Sequence, residues 1–386
     1  ILKTYIPKPA NFALADGNKA ALKRDPLGIA PLYYGWTPDH WLCFASEVKG
    51  LLEITRDVHE LPAGHIFDGK NLEAYFQLRA MPELDWNPDR LAKELRNRLE
   101  NAAEKYAARG NVGAWLSGGL DSSVWAALAR RFSNPFHTFT AGFSDSPDVK
   151  FAQVVADFIN SDHHVRTVSL QDLLTVLPEV IYHLESFDAW LVRSSIMNYL
   201  VAQLASNFVP EVFSGEGGDE LFAGYKYLKT LKPESLPNEL IDITARLHNT
   251  ALQRVDRCAA AHGTTAHVAF LDPAVVEFAL QIPAKYKLNN GVEKWILRQA
   301  IMDILPDSVA KRPKAKFWQG AGVENHLADY ADQKISSADF SRERHLPNGW
   351  ILNSKEELMY YRIFREFFGE FDTLEWMGRT KGSPVT

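Results

Sequence analysis

Two short stretches of this chain bring glycines, hydroxyls and carboxylates together at spacings suited to phosphate chemistry. The first is Ser117-Gly118-Gly119-Leu120-Asp121-Ser122. Gly118 and Gly119 carry no side chains, so phosphate oxygens can reach backbone N–H groups, and the start of a following helix favours an anion. Ser117 and Ser122 add hydroxyl donors, and Asp121 is a hard carboxylate suited to the Mg2+ that accompanies a nucleotide triphosphate. The second stretch is Ser214-Gly215-Glu216-Gly217-Gly218-Asp219-Glu220-Leu221-Phe222. Its three carboxylates repel one another unless a cation sits among them. Mg2+ held by Asp121 and Asp219, with phosphate oxygens bridging, is the economical expectation. The bland alternatives are a glycine turn packing a helix on a sheet and a solvated acidic turn. The presence of both stretches in one chain favours the phosphate reading.

The surrounding elements are predicted from apolar periodicity. Val112, Ala114, Trp115 and Leu116 read as a buried strand, and Ser123 to Arg131 as a helix, so the first loop is a strand-to-helix turn. Further alternation follows: a strand at His137 to Ala141, a helix at Phe151 to Ile159, a strand at His164 to Val168, a helix at Asp172 to Leu184. The second loop follows the apolar Val209 to Phe213. Repeated β then α units predict a parallel sheet with helices on both faces, whose ligands bind at the carboxyl ends of its strands. Upstream, short β-like runs at Phe12 to Ala15, Pro31 to Tyr34 and Trp41 to Ala45 predict a β-rich region over residues 1–80. Asn87 and Pro88 then mark a helix start, with Leu91, Leu95, Leu99, Ala103 and Tyr106 at helical spacing as far as Gly110, opening a second domain over 81–386. From about Asn238 the pattern is mostly helical, and Ser354 with Glu357 predicts a capping box.

Bulk properties narrow the partners. The 386 residues are 46% apolar and 23% charged with a net charge of −6, ordinary for a globular chain. No Lys/Arg block dominates a segment, which argues against a nucleic-acid partner held by phosphate neutralisation. No apolar run reaches the roughly 20 residues that span a bilayer, so no membrane role is expected and the cytoplasm is the default location. Two distant cysteines, Cys43 and Cys258, read as buried free thiols and give no metal site by spacing.

With both loops in place, the chain resembles a known family. Ser117 to Ser122 looks like the pyrophosphate-releasing loop of ATP pyrophosphatases. Its pairing with Ser214 to Phe222 is similar to the synthetase domain of glutamine-dependent asparagine synthetases and of their β-lactam synthetase relatives. Ser146-Pro147-Asp148, His163-His164, Arg193-Ser194-Ser195, Phe270-Leu271-Asp272 and Tyr361-Arg362-Ile363-Phe364 extend the likeness. Arg24-Asp25-Pro26-Leu27-Gly28-Ile29, Phe44-Ala45-Ser46-Glu47 and Leu61-Pro62-Ala63-Gly64-His65 look like the closing part of the family's glutaminase domain. The resemblance implies an α/β fold of the adenine nucleotide alpha hydrolase kind. It also implies an ATP- and Mg2+-dependent ligase that adenylates a carboxylate, with aspartate giving asparagine as the leading case, and passes the acyl group to ammonia or another amine. Leu116, Ala141 and Gly263 match adenosine-contact positions, Ser117, Gly118, Gly119, Asp121 and Ser122 the phosphate loop, and Asp121 with Asp219 the metal carboxylates. Lys314, Glu216 and Asp219 are expected to carry the chemistry, Lys314 by stabilising charge on the reacting centre; the alternative for Lys314 is a surface lysine in a basic loop.

Two departures shape the remaining expectations. In Gly263-Thr264-Thr265-Ala266-His267, Thr265 stands where the family pattern carries a glutamate and His267 where it carries an arginine. Threonine is no base at neutral pH; His267 is either a base or a structural residue. Trp318-Gln319 replaces the family's Ser-Asp near Lys314, which suggests a reshaped substrate pocket. The chain begins at Ile1, whereas class II glutaminases use an N-terminal cysteine. Ammonia is therefore expected from elsewhere: an upstream segment, a separate glutaminase chain or free solution, with a homodimer also left open. Specialised amide- or β-lactam-forming synthetases and a non-catalytic nucleotide-binding homologue are the competing readings. Another ATP pyrophosphatase, tRNA-modifying or argininosuccinate-type, would explain only the first loop.

Overall fold

Seven short strands lead the chain: β1 (Phe12–Asp16), β2 (Lys19–Lys23), β3 (Tyr33–Trp36), β4 (Leu42–Ala45), β5 (Val58–Glu60), β6 (His65–Phe67) and β7 (Leu72–Ala74), with helix α1 (Lys49–Leu52) after β4. The computed structural model, which describes residues 11–16, 19–108, 110–313, 320–323 and 325–380, pairs them as two antiparallel sheets, β1-β2-β6-β7 and β4-β3-β5. Their separate core is small: Leu22, Leu32, Tyr34, Leu61 and Phe67. Tyr33, Val48, Leu51 and Val58 instead join the main core.

Helix α2 (Pro88–Ala107) starts as its residues predict. Asn87 Oδ1 accepts from the Arg90 N–H at 2.9 Å, Pro88 fills the first turn, and Leu91, Leu95, Leu99 and Ala103 are buried. Beyond it the β/α alternation unfolds as β8 (Val112–Trp115), α3 (Leu120–Ala129), β9 (His137–Gly142), α4 (Pro147–Ile159), β10 (Asp162–Thr167), α5 (Leu170–Leu184), α6 (Ala189–Ala205), β11 (Glu211–Phe213), α7 (Gly218–Phe222), α8 (Leu236–Ala245), α9 (Ala251–Ala260) and β12 (Thr265–His267). The strands form one sheet in the order β10-β9-β8-β11-β12, parallel throughout. Helices α3 and α4 pack together on one face, with α2 outside α3; α6, with α5 and α9, covers the other. This is the expected α/β sheet, with one strand more: Thr265–His267 lies inside the stretch read as helical.

The chain leaves β8 to one side, through β9 and β10, then crosses over to β11 on the other side. The order therefore reverses between β8 and β11, and a crevice opens there above the strand ends. Helices α10 (Pro273–Gln281), α11 (Ala284–Lys287), α12 (Trp295–Ile301) and α13 (Asp307–Ala310) follow, then helices at His326–Lys334, Ser337–Glu343 and Lys355–Phe368. Ser354 caps the last of these through the Glu357 N–H at 3.1 Å, but the returning Glu357 carboxylate takes the N–H of Asn353 at 2.8 Å, so the predicted capping box is offset by one residue. Cys258 is buried as expected; Cys43 is only half-buried, and no disulfide joins them. Among the described residues no helix is long and apolar enough to cross a membrane.

Candidate active site

The loops after β8 and β11 meet at the switch point. Gly215 and Gly218 make that approach possible: a Cβ on Gly215 would stand 2.9 Å from Ser122 N, and one on Gly218 2.5 Å from Asp121 Oδ1. A cavity of 380 Å³ opens beside them, lined by both loops, by α6, by the start of α9 and by Arg312 and Pro313. Leu116, Ser117, Gly119, Asp121, Ser122, Ala141, Glu216 and Asp219 all line it.

Within the first loop the hydroxyls are already engaged. Ser117 N–H donates to Ser122 Oγ at 3.1 Å, the two hydroxyl oxygens lie 3.0 Å apart, and Ser122 Oγ–H reaches Gly119 O at 3.2 Å. Helix α3 begins at Leu120, not Ser123, so Gly119 is its N-cap and Asp121 stands in its first turn. The loop is thus a helix start whose N–H groups and dipole face the cavity. Gly118 lies between Ser117 and Gly119 in this loop and is not itself among the residues that line the cavity. Its φ of +64° and the closeness of Phe151 and Ala152 on α4 are what require glycine there.

The carboxylates have a cation that the sequence reading missed. Lys294 Nζ pairs with Asp219 Oδ1 at 2.5 Å and with Asp121 Oδ2, while its side chain is 2% exposed. The residue sits at φ +54°, a left-handed conformation that costs a non-glycine residue on the order of 1 kcal/mol. Its N–H is tied to Phe222 O at 3.1 Å, and Gly224 leaves space where a Cβ would collide with Asp219 and the Lys294 stem. Nothing in Val292-Glu293-Lys294-Trp295 marks this role; only the unbalanced charge of the acidic loop calls for a partner.

The other acids are also held. Glu216 pairs with Arg254 on α9, and Asp148 on α4 pairs with Arg312 at 2.7 Å. Glu220 is buried beside Asp219, and burial first, then that neighbouring charge, pushes its carboxyl up to about 7; Tyr225 Oη donates to it. Lys314 lies outside the described residues, although Arg312 and Pro313 just before it reach the cavity wall.

Gly263 and its neighbours are a correction. Thr265 opens β12, opposite Glu211, with its N–H on Pro210 O at 2.9 Å, so Gly263 lies at the amino ends of the strands while the two loops lie at their carboxyl ends. At φ +68° it ends the turn after α9. Thr265 is exposed and replaces nothing at the cavity, where the acidic group is Glu216. His267 is structural: Nε2 meets Glu211 Oε2 at 2.6 Å, its ring lies 5.0 Å from Tyr106, and it does not line the cavity.

Fold and site define an α/β protein whose switch-point crevice joins a glycine-rich loop at a helix start to an acidic loop. The chain belongs to the asparagine synthase family: the asparagine synthase model matches residues 94–241 and 229–381, and a glutamine amidotransferase domain model matches residues 10–53. It is 33% identical to asparagine synthetase B [glutamine-hydrolyzing] of Escherichia coli (strain K12), over 92% of this chain and 69% of that protein. It is also 33% identical to asparagine synthetase [glutamine-hydrolyzing] 2 of Arabidopsis thaliana, over 89% of this chain and 64% of that one, and 32% identical to a probable asparagine synthetase of Schizosaccharomyces pombe, over 92% and 70%. The chain spans about two thirds of the length of these relatives. The family places it among carbon–nitrogen ligases.

Proposed function

We infer that this chain activates a carboxylate with ATP and transfers the acyl group to ammonia, aspartate being the carboxylate and asparagine the product, with AMP and pyrophosphate released. The observation that supports this most directly is the joining of the Ser117–Ser122 loop, Asp121, Asp219 and Lys294 at one end of a single cavity, with Glu216 and Arg254 lining it as well. A carboxylate is a poor electrophile, and its mixed anhydride with AMP gives it a good leaving group. The N–H groups at the start of α3 and the Lys294 ammonium would hold the triphosphate and the charge left on pyrophosphate. Arg254 lines the cavity with its guanidinium on Glu216, and Lys314 follows Arg312 and Pro313 in the chain as a further cation.

Asp121 and Asp219 converge on the Lys294 ammonium; with that ammonium turned to the phosphates, the same two carboxylates would hold Mg2+, a hard cation that keeps part of its shell for phosphate oxygens and water. That ion would lower the charge of the leaving pyrophosphate. The test is exchange of labelled pyrophosphate into ATP, run with Mg2+ and a panel of carboxylates, with Asp121→Ala as control. Exchange that depends on aspartate is expected. Exchange with another acid alone would replace aspartate as the substrate; ATP binding without exchange for any acid would refute ligase activity.

A further inference from the structure

One stretch of the cavity wall comes from far along the chain. Beyond the helix Lys355–Phe368, Phe371, Leu374, Trp376 and Met377 are buried in the main core, and Arg379 and Thr380 just after them line the cavity. Gly378 lets this strap lie against the turn that leads into α9: a Cβ there would stand 2.0 Å from Asn249 O. Arg246, Leu247 and Thr250 of that turn line the cavity too, as do Trp190, Leu191 and Ser194 at the start of α6.

Asp188 ties these pieces together from behind the wall. It is fully buried and is not itself part of the lining. Its Oδ1 caps α6 by accepting the Leu191 N–H at 2.9 Å and also accepts the Thr380 hydroxyl at 2.9 Å. Its Oδ2 accepts the Thr380 N–H at 3.1 Å and stands 3.7 Å from Arg379 Nε. Arg379 Nη1 meets Glu357 Oε1 at 2.6 Å, and the guanidinium lies 5.3 Å from the centre of the Trp350 ring. A helix cap needs one accepting oxygen, which an uncharged asparagine or serine supplies as well. The second oxygen and the buried charge, costly to desolvate, serve the strap.

The strap closes the end of the cavity that α9 builds. The Arg254 N–H bonds to Thr250 O one turn back, and Arg254 is the residue that holds Glu216. Among the described residues the strap's side-chain hydrogen bonds and ion pairs go to Asp188 and Glu357, none to the Ser117–Ser122 loop or to Lys294. We propose that Arg379 and Thr380 form part of the binding site for the acid to be activated, and that Asp188 is the positioning residue that sets them there. A guanidinium and a hydroxyl in one wall suit a substrate that carries carboxylates. The proposal rests on the ligase reading above and assigns the strap to the acid, not to the nucleotide.

Pyrophosphate exchange by the full chain, Asp188→Asn and Thr380→Val tests it, with KM measured separately for ATP and for the acid. The acid is aspartate, or whichever carboxylate supports exchange in the parent. An asparagine amide has a single accepting oxygen for the two N–H groups that Asp188 serves with two, and it carries no charge for Arg379. The KM for the acid is expected to rise about tenfold in Asp188→Asn, the effect of one charge-assisted hydrogen bond lost, while the KM for ATP stays that of the parent. Thr380→Val touches the strap alone and is expected to shift the same KM in the same direction by less. A KM for the acid unchanged in both variants, whatever the rate, or equal rises for the acid and ATP, would overturn the proposal and leave Asp188 a structural residue. No exchange by the parent with any acid would overturn the ligase reading itself.

Discussion

Lys294 shows how much of this site depends on one side chain. Its ammonium balances two carboxylates in a buried position, and its strained backbone persists because the Phe222 carbonyl and the space at Gly224 hold it there. Lys294→Met keeps the length and removes the charge, leaving Asp121 and Asp219 to repel each other. Breaking a buried ionic contact by deleting one partner costs about 3–5 kcal/mol, so urea unfolding should show a loss of that order in the ligand-free chain. A variant as stable as the parent would mean that the carboxylates are balanced by something other than Lys294. Residue types and spacing were enough to single out Asp121, Asp219 and Glu216, because carboxylates on glycine loops are chemically unusual. They could not reveal Lys294 or Arg254, which reach the cavity from elements far along the chain and carry no local signature. Gly263 and Thr265 were misplaced for the same reason. Motif order says nothing about which end of a strand a residue occupies, and only the parallel register of β12 on β11 decides it.

At the scale of elements, the loops work because two helices start where backbones nearly touch. Gly218→Ala would press a methyl group onto the Asp121 carboxylate, 2.5 Å from Oδ1, with the buried Phe270 ring 3.0 Å away. Catalysis is expected to fall about a hundredfold, the penalty for displacing a reacting group by about 1 Å, while far-UV circular dichroism stays that of the parent. Pyrophosphate exchange at the parent rate would show that the loop tolerates the shift. The elements themselves were largely legible. The caps at Asn87 and Ser354, the apolar stripe of α2 and the alternating strands all appear, because capping and burial are local. Boundaries drifted where tertiary contacts took over: α3 starts three residues early inside the phosphate loop, and α4 starts at Pro147 with Ser146 as its N-cap. The strand at Thr265–His267 escaped because three residues carry too short a pattern, and its existence depends on β11 alongside.

Across the whole molecule, the N-terminal strands are seated on the helical layer by buried charge more than by a core of their own. Glu185 at the end of α5 is fully buried and accepts the N–H groups of Val48 and Lys49 at 2.9 and 2.7 Å, while Arg257 on α9 pairs with Glu185 and with Glu47 at 2.8 and 3.1 Å. Arg254, one turn earlier on the same helix, holds Glu216 in the cavity, so α9 touches both the docking surface and the site. Glu60 makes a second bridge, to Arg24 at 2.6 Å within the N-terminal region and to His248 at 2.9 Å across the junction. Burial would raise its carboxyl, but the His248 hydrogen bond and charge and the Arg24 guanidinium outweigh it and hold the group at about 2. Because the folded value lies below the ordinary one, the bridge stabilises the protein at neutral pH, and its contribution declines as pH falls from about 4.5 towards 2. A gap of that size corresponds to about 3 kcal/mol at neutral pH. Urea unfolding of the parent and Glu60→Gln at pH 7, 5, 4 and 3 should therefore show two stability curves that converge as the acid limit nears. Curves that stay parallel over that range would mean that the charge of Glu60 does not hold the N-terminal strands in place.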